Sequence, residues 1–277
     1  MIKKMIIVLF VGFLLSSCTT ENEVRPDSNL DYEISGMNDF YYPNEDYQLS
    51  FKVMNSYYLP DVEQIKSKML FSGFDDNILD MTREKEIQIT PLKDEYDYTE
   101  TYFDINLKPN LPENADDSKQ ILRTHLLVDM NTEFSIPLCL VGIDENRDEA
   151  DCSFSLSETD LNLPIEVIDS KYSFSPSTQT IILYFKADKK YDYFDVSSYD
   201  DFSLDVLSNL PKIDYTIENS YTGKIENSFR IDENNIGRLV LSIPRSEISG
   251  SFDSTFNVNL NYGLVNSKKF ELNIKKS

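Results

Sequence analysis

The sequence predicts an all-β protein built from two antiparallel β-sandwiches. Three observations lead there. Period-two alternation of apolar and polar residues recurs along most of the chain. No long stretch keeps a helical period. The composition, with 17 Phe, 17 Tyr and only 8 Gly among 277 residues, favours aromatic-rich strands.

The first residues read as a leader rather than as fold. Lys3 and Lys4 give a basic start, and residues 6–15 form an uncharged apolar run. That run has the length of a signal-peptide core and is too short for a spanning helix, which needs ~20 residues. It closes on Leu15-Ser16-Ser17-Cys18, the pattern of a prokaryotic lipobox. The small residues let the chain lie extended in a peptidase groove. The Cys18 thiol is the nucleophile that takes the diacylglycerol, and two or more acyl chains such as palmitate anchor stably where one does not. Residues 19–29 are polar and acidic and read as a flexible tether. The expected address is therefore the cell membrane, lipid-anchored and facing the extracytoplasmic side.

Strand candidates follow in order. Tyr47, Leu49, Phe51 and Val53 alternate with polar residues, as do Phe103, Ile105 and Leu107. His125 lies in an ordinary strand over residues 122–128, and Phe134, Ile136, Leu138 and Leu140 form the next stripe. The second half offers Ile181, Leu183, Phe185; Ile213, Tyr215, Ile217; Leu239, Leu241, Ile243; Phe256, Val258, Leu260, Tyr262; and Phe270, Leu272, Ile274. Short helical turns are expected near residues 61–66, 116–120 and 244–248. Many short strands with regular turn signals indicate sandwiches. About 250 residues behind the leader suggest two domains. Gly142 and the charged run after it divide them, giving sandwiches at 30–142 and 152–277 around an acidic linker at 143–151.

Three pieces of the first unit carry a resemblance. Tyr42-Pro43-Asn44-Glu45 leads into a strand ending at Asn55. Tyr58-Leu59-Pro60-Asp61-Val62 runs on to Leu70-Phe71-Ser72-Gly73-Phe74-Asp75. Val128-Asp129-Met130-Asn131-Thr132-Glu133-Phe134 continues to Cys139. Together they resemble two-domain, mostly archaeal surface proteins with immunoglobulin-like, CARDB-like folds, the last piece being similar to their closing hairpin. The resemblance spans about 100 residues. It implies immunoglobulin-like sandwiches at a cell surface and no catalytic activity. Those proteins often carry a further cysteine one strand earlier, where this chain has Leu127.

The acidic balance bounds the partners. With 48 acidic and 26 basic residues the formal charge is −22, and losing Lys3 and Lys4 makes it −24 (24 basic against 48 acidic). Such a surface repels nucleic acid and anionic headgroups. Acidity that serves solubility alone is the other reading. Partners expected are the membrane, through the N-terminal lipid, and a surface protein or glycan, with no nucleic acid.

Candidate sites are few. With Cys18 acylated, Cys139 and Cys152 are the remaining thiols of three, and an oxidising compartment favours a bridge between them, worth roughly 3 kcal/mol in the chain-entropy picture. Two free thiols are the alternative. Between them, Asp144, Asn146 and Asp148 have the spacing of oxygen ligands in calcium loops. Glu149 replaces the loop glycine and Ser155 the closing glutamate, so an EF-hand is excluded. An irregular calcium site of Asp144, Asn146, Asp148 and Asp151 stands against a solvated acidic linker; no other cofactor is expected. Asp94, Glu95, Asp97 and Glu100 interleave with Tyr96, Tyr98 and Tyr102. Carboxylates beside aromatics suit glycosidases or sugar binders, and the same spacing suits a strand edge with solubilising charges. His125 is the sole histidine, and no G-x-S-x-G, H-E-x-x-H, C-x-x-C or phosphate loop occurs. The sequence therefore predicts no enzyme. It predicts a lipid-anchored surface protein with a structural or adhesive role, or, as the alternative, a lipoprotein that captures a glycan or peptide.

Overall fold

The computed structural model describes residues 30–57, 63–93, 98–112, 115–145, 163–194, 203–207, 214–219, 224–226 and 231–276. Its elements are β1 (Leu30–Ser35), β2 (Tyr47–Asn55), β3 (Ile65–Ser72), β4 (Leu79–Met81), β5 (Glu84–Ile89), β6 (Thr99–Pro109), β7 (Ser118–Val141), β8 (Ile165–Phe174), β9 (Thr178–Ala187), β10 (Asp192–Phe194), β11 (Ser203–Leu207), β12 (Asp214–Asn219), β13 (Lys224–Glu226), β14 (Ile236–Pro244) and β15 (Ser251–Ile274). One 3-10 turn, Arg245–Glu247, separates the last two. Every strand ladder is antiparallel, as the alternation predicts.

The strands form three sheets. The first has the order β1-β2-β6-β4 and the third β13-β12-β14-β9-β8. The second runs β10-β15-β7-β3-β5, with β11 also on β15. Its centre is a single ladder in which β7 and β15 pair over 24 residues, from Ser251↔Val141 to Ile274↔Ser118. At ~3.3 Å per residue that ribbon extends on the order of 80 Å.

Even-numbered side chains of β7 and β15 point inward along nearly the whole ribbon. At one end they meet the first sheet, where Phe51 packs edge-on against Phe71 of β3 and stacks on Phe103 of β6. At the other they meet the third sheet, where Phe134 of β7 packs edge-on against Phe185 of β9 at 5.6 Å between centroids. The first and third sheets therefore cover the same face of the ribbon side by side, and their buried residues form one cluster. Each buried Phe or Leu in it contributes roughly 1.5–3 kcal/mol.

The ribbon changes how the linear division of the chain reads in space. Residues 264–274 follow the linker in sequence but pair with residues 118–128, beside β3 and the first sheet. Tyr41 fastens that end further: its N–H donates to Asn273 O at 2.9 Å, and the Lys275 N–H donates to its carbonyl at 2.9 Å. The start of β1 is fastened by the second half. Tyr191 OH accepts from Leu30 N at 3.1 Å and donates to Leu30 O at 3.0 Å, and Asn266 Nδ2 donates to Leu30 O at 3.1 Å.

Three local expectations are corrected. Residues 128–139 form no hairpin; they lie inside β7, because Asp129, Asn131 and Glu133 occupy outward positions while Met130, Thr132 and Phe134 are buried. Ile65 and Lys66 open β3 rather than close a helical turn, and Ser118 to Gln120 open β7, since cross-strand partners outweigh local propensity. The turn expected near 244–248 is present as the 3-10 segment.

Candidate functional site

The junction after β7 is built from polar groups that close a strand edge. Among the described residues β3 pairs with β7 only from Arg123 to Val128, so the same edge beyond Val128 carries no strand. Gln179, fully buried on β9, takes the place of one at the far end: its Nε2 donates to Cys139 O at 2.6 Å and its Oε1 accepts from Val141 N at 3.0 Å. Arg245 completes the closure. Its guanidinium donates to the carbonyls of Val141, Gly142 and Glu145 at 3.2, 2.6 and 2.8 Å, and to that of Ser175 at 3.1 Å. Gly142 fits beneath because it lacks a Cβ, which would stand 2.5 Å from Ile248 O and 2.9 Å from Gly250 O.

Of the residues singled out at this junction, Cys139 is disulfide-bonded. Cys152 lies outside the described residues, as do Asn146, Asp148 and Asp151 of the expected calcium set and Cys18 of the lipobox. Asp144 is exposed in the turn that follows Gly142. Among the described residues no group of three or more His, Cys, Asp or Glu side chains is placed to hold a metal ion, and no helix is long and apolar enough to cross a membrane.

His125 stands on the side of β7 away from the core. Its Nδ1 is 2.8 Å from Ser267 Oγ of β15 and its Nε2 3.4 Å from Ser72 Oγ of β3. The ring thus lies between one serine on each neighbouring strand, and among the described residues no carboxylate is hydrogen-bonded to it.

The acidic-aromatic segment near residue 100 forms the most distinctive surface. Glu100 and Tyr102 lie on the outer face of β6, with Tyr98 just before the strand. Across the first sheet the register aligns Glu33, Lys52 and Tyr102 in one row and Ser35, Ser50 and Asp104 in the next. Glu100 is the hub. It forms an ion pair with Lys52 and accepts the Tyr102 hydroxyl, and Tyr98 also hydrogen-bonds to it. The hydrogen bond from Lys52 is the leading reason that its carboxyl is held below the usual range. Ser50 Oγ donates to Asp104 Oδ1 at 2.7 Å. Tyr102 is the most exposed large apolar residue described, at 65%. Asp94, Glu95, Tyr96 and Asp97 of the same segment lie outside the described residues.

Sequence reasoning found Glu100, Tyr98 and Tyr102 but not Lys52, which reaches them only through the β2–β6 register. Arg245 and Gln179 were missed altogether. Nothing in one sequence marks a lone Arg or Gln as buried; the bonds of Arg245 to Val141 and Gly142 span more than 100 residues.

No family model and no curated protein matches the chain. Among solved structures, the C-terminal domain of the Streptococcus agalactiae AgI/II polypeptide BspA is matched with 8% identity and a TM-score of 0.18, over 88% of this chain and 97% of that one. A second structure, a mutant of the BspA C-terminal domain, gives 8% identity and a TM-score of 0.19, over 88% of this chain and 96% of that one. Likenesses this low carry no argument about function, and the resemblance to CARDB-like domains gains no support from them.

Proposed function

We propose that this chain is a lipid-anchored, non-catalytic cell-surface protein with a structural or adhesive role. The supporting observation is the continuous β7–β15 ladder, with Leu30, the first residue after the expected tether, fastened beside it. A tether attached there transmits load into both sandwiches at once. Such a continuous backbone ladder suits a protein that bears or presents something at a surface. The lipobox ending in Cys18 supplies the anchor in this reading, and the acidic surface keeps the body off anionic headgroups.

The same reading joins Cys139 to Cys152, since Cys18 is committed to lipid and the compartment is oxidising. The anchor is tested by Cys18→Ala. The variant should leave the membrane fraction for the soluble one after a high-salt wash. Membrane association that persists unchanged would sink the anchored reading.

A further inference from the structure

We propose that the outer face of the first sheet binds a neutral glycan chain, with the Tyr102 ring as stacking platform and Tyr98, Lys52, Ser50 and Asp104 as flanking polar contacts. The proposal rests on the surface-protein reading and names what that surface holds.

The argument begins with the state of Tyr102. A tyrosine this exposed would ordinarily sample several rotamers in water. Here its hydroxyl is fixed to Glu100, and Glu100 is fixed in turn by Lys52 and Tyr98. The hydrogen bond is made at the ring's edge, so the exposed ring keeps area for contact. Fixing a ring before its ligand arrives lowers the entropy lost on binding. Tyrosine offers such area at low entropic cost, with only two torsions to order.

Sugar rings match this surface chemically. A pyranose presents C–H groups on a face, which pack on an aromatic ring, and hydroxyls at its rim, which need donors and acceptors. Ser50, Asp104 and Lys52 supply those in the rows beside Tyr102. Tyr98 and Tyr102 flank Glu100 on the chain, and their hydroxyls converge on its carboxylate, which places the Tyr98 hydroxyl beside the Tyr102 ring as a further polar contact.

Charge selects the class of polymer. The formal charge of −22 repels anionic chains. Lys52 is ion-paired with Glu100, and Glu33 and Asp104 in the same rows draw a cationic chain by charge alone, whether or not the ring is fixed. The fixed ring serves an uncharged chain, which has only stacking and hydrogen bonds to hold it.

The test is native affinity electrophoresis of the whole chain, extracted in mild detergent, through gels holding soluble neutral glucans, mannans, xylans or galactans. Alginate and polylysine serve as the charged controls. At least one neutral polysaccharide should retard the protein, with little dependence on salt. Tyr102→Ala should weaken that binding by about tenfold or more, the scale of one lost aromatic stack. Tyr102→Phe keeps the ring but not its bond to Glu100 and should fall between. Unfolding midpoints should be alike, since the side chain is exposed. Retardation by none of the neutral polysaccharides would overturn the proposal. So would salt-sensitive binding to polylysine alone, or undiminished binding by Tyr102→Ala. None of these results bears on membrane release by Cys18→Ala, so the two readings fail separately.

Discussion

Several of the residues that hold this fold together are polar side chains at positions a core normally gives to leucine or valine. Thr124 lies 2.6 Å from the Tyr32 hydroxyl and Thr132 3.0 Å from that of Tyr262. Asn266 holds Leu30, and Gln179 holds the end of β7. Each would cost about 1–3 kcal/mol if buried without its partner. Arg245 is the extreme case, a charge 9% exposed whose hydrogen bonds run to four main-chain carbonyls. Arg245→Met keeps much of the volume but leaves those carbonyls short of donors. The expected loss is about 3 kcal/mol, read as a lower midpoint in equilibrium urea unfolding. A loss under about 1 kcal/mol would mean that water replaces the guanidinium freely.

These polar insertions also explain what the sequence could and could not disclose about the elements. Alternation identified most strands and their inward faces, from Leu49, Phe51 and Val53 to Leu272 and Ile274. It split β7 and β15 in two because Thr132 and Asn266 interrupt the apolar parity where Asp129, Asn131, Ser267 and Lys268 imitate turns. Register and sheet order are long-range properties and left no local trace. Pro137 is an exception that could have been understood earlier. Cys139 O and Val141 N point away from β15, toward Gln179, and the period of the strand puts the Pro137 nitrogen on that same edge. A proline there withholds a donor from any passing strand, a common way to blunt an exposed edge. Pro137→Thr should therefore leave stability nearly unchanged while raising self-association. Sedimentation velocity across a concentration series measures this; no greater association than in the parent would remove that role from Pro137.

At the scale of the molecule, the two halves expected from the sequence are tied in space. A cut between them should release neither part, because residues 264–274 remain paired with residues 118–128. Proteolysis near Arg147, which lies outside the described residues, should yield two fragments that co-elute in native buffer even with reductant. They should separate only when denaturant is added as well, with reductant needed to open the bond at Cys139. Fragments that part in native reducing buffer would show the ribbon too weak to join the halves.

That pairing also governs when the protein can fold. Leu30 waits for Asn266, a partner 236 residues further along, and the β7 ribbon has no complete mate until Ile274 is present. A chain delivered across a membrane N-terminus first would therefore emerge almost whole before its first sandwich could close. Contacts so distant in sequence make folding intrinsically slow. The same delay would keep a chain delivered in that way threadable and leave it open, until its last strand arrives, to any protease waiting on the far side.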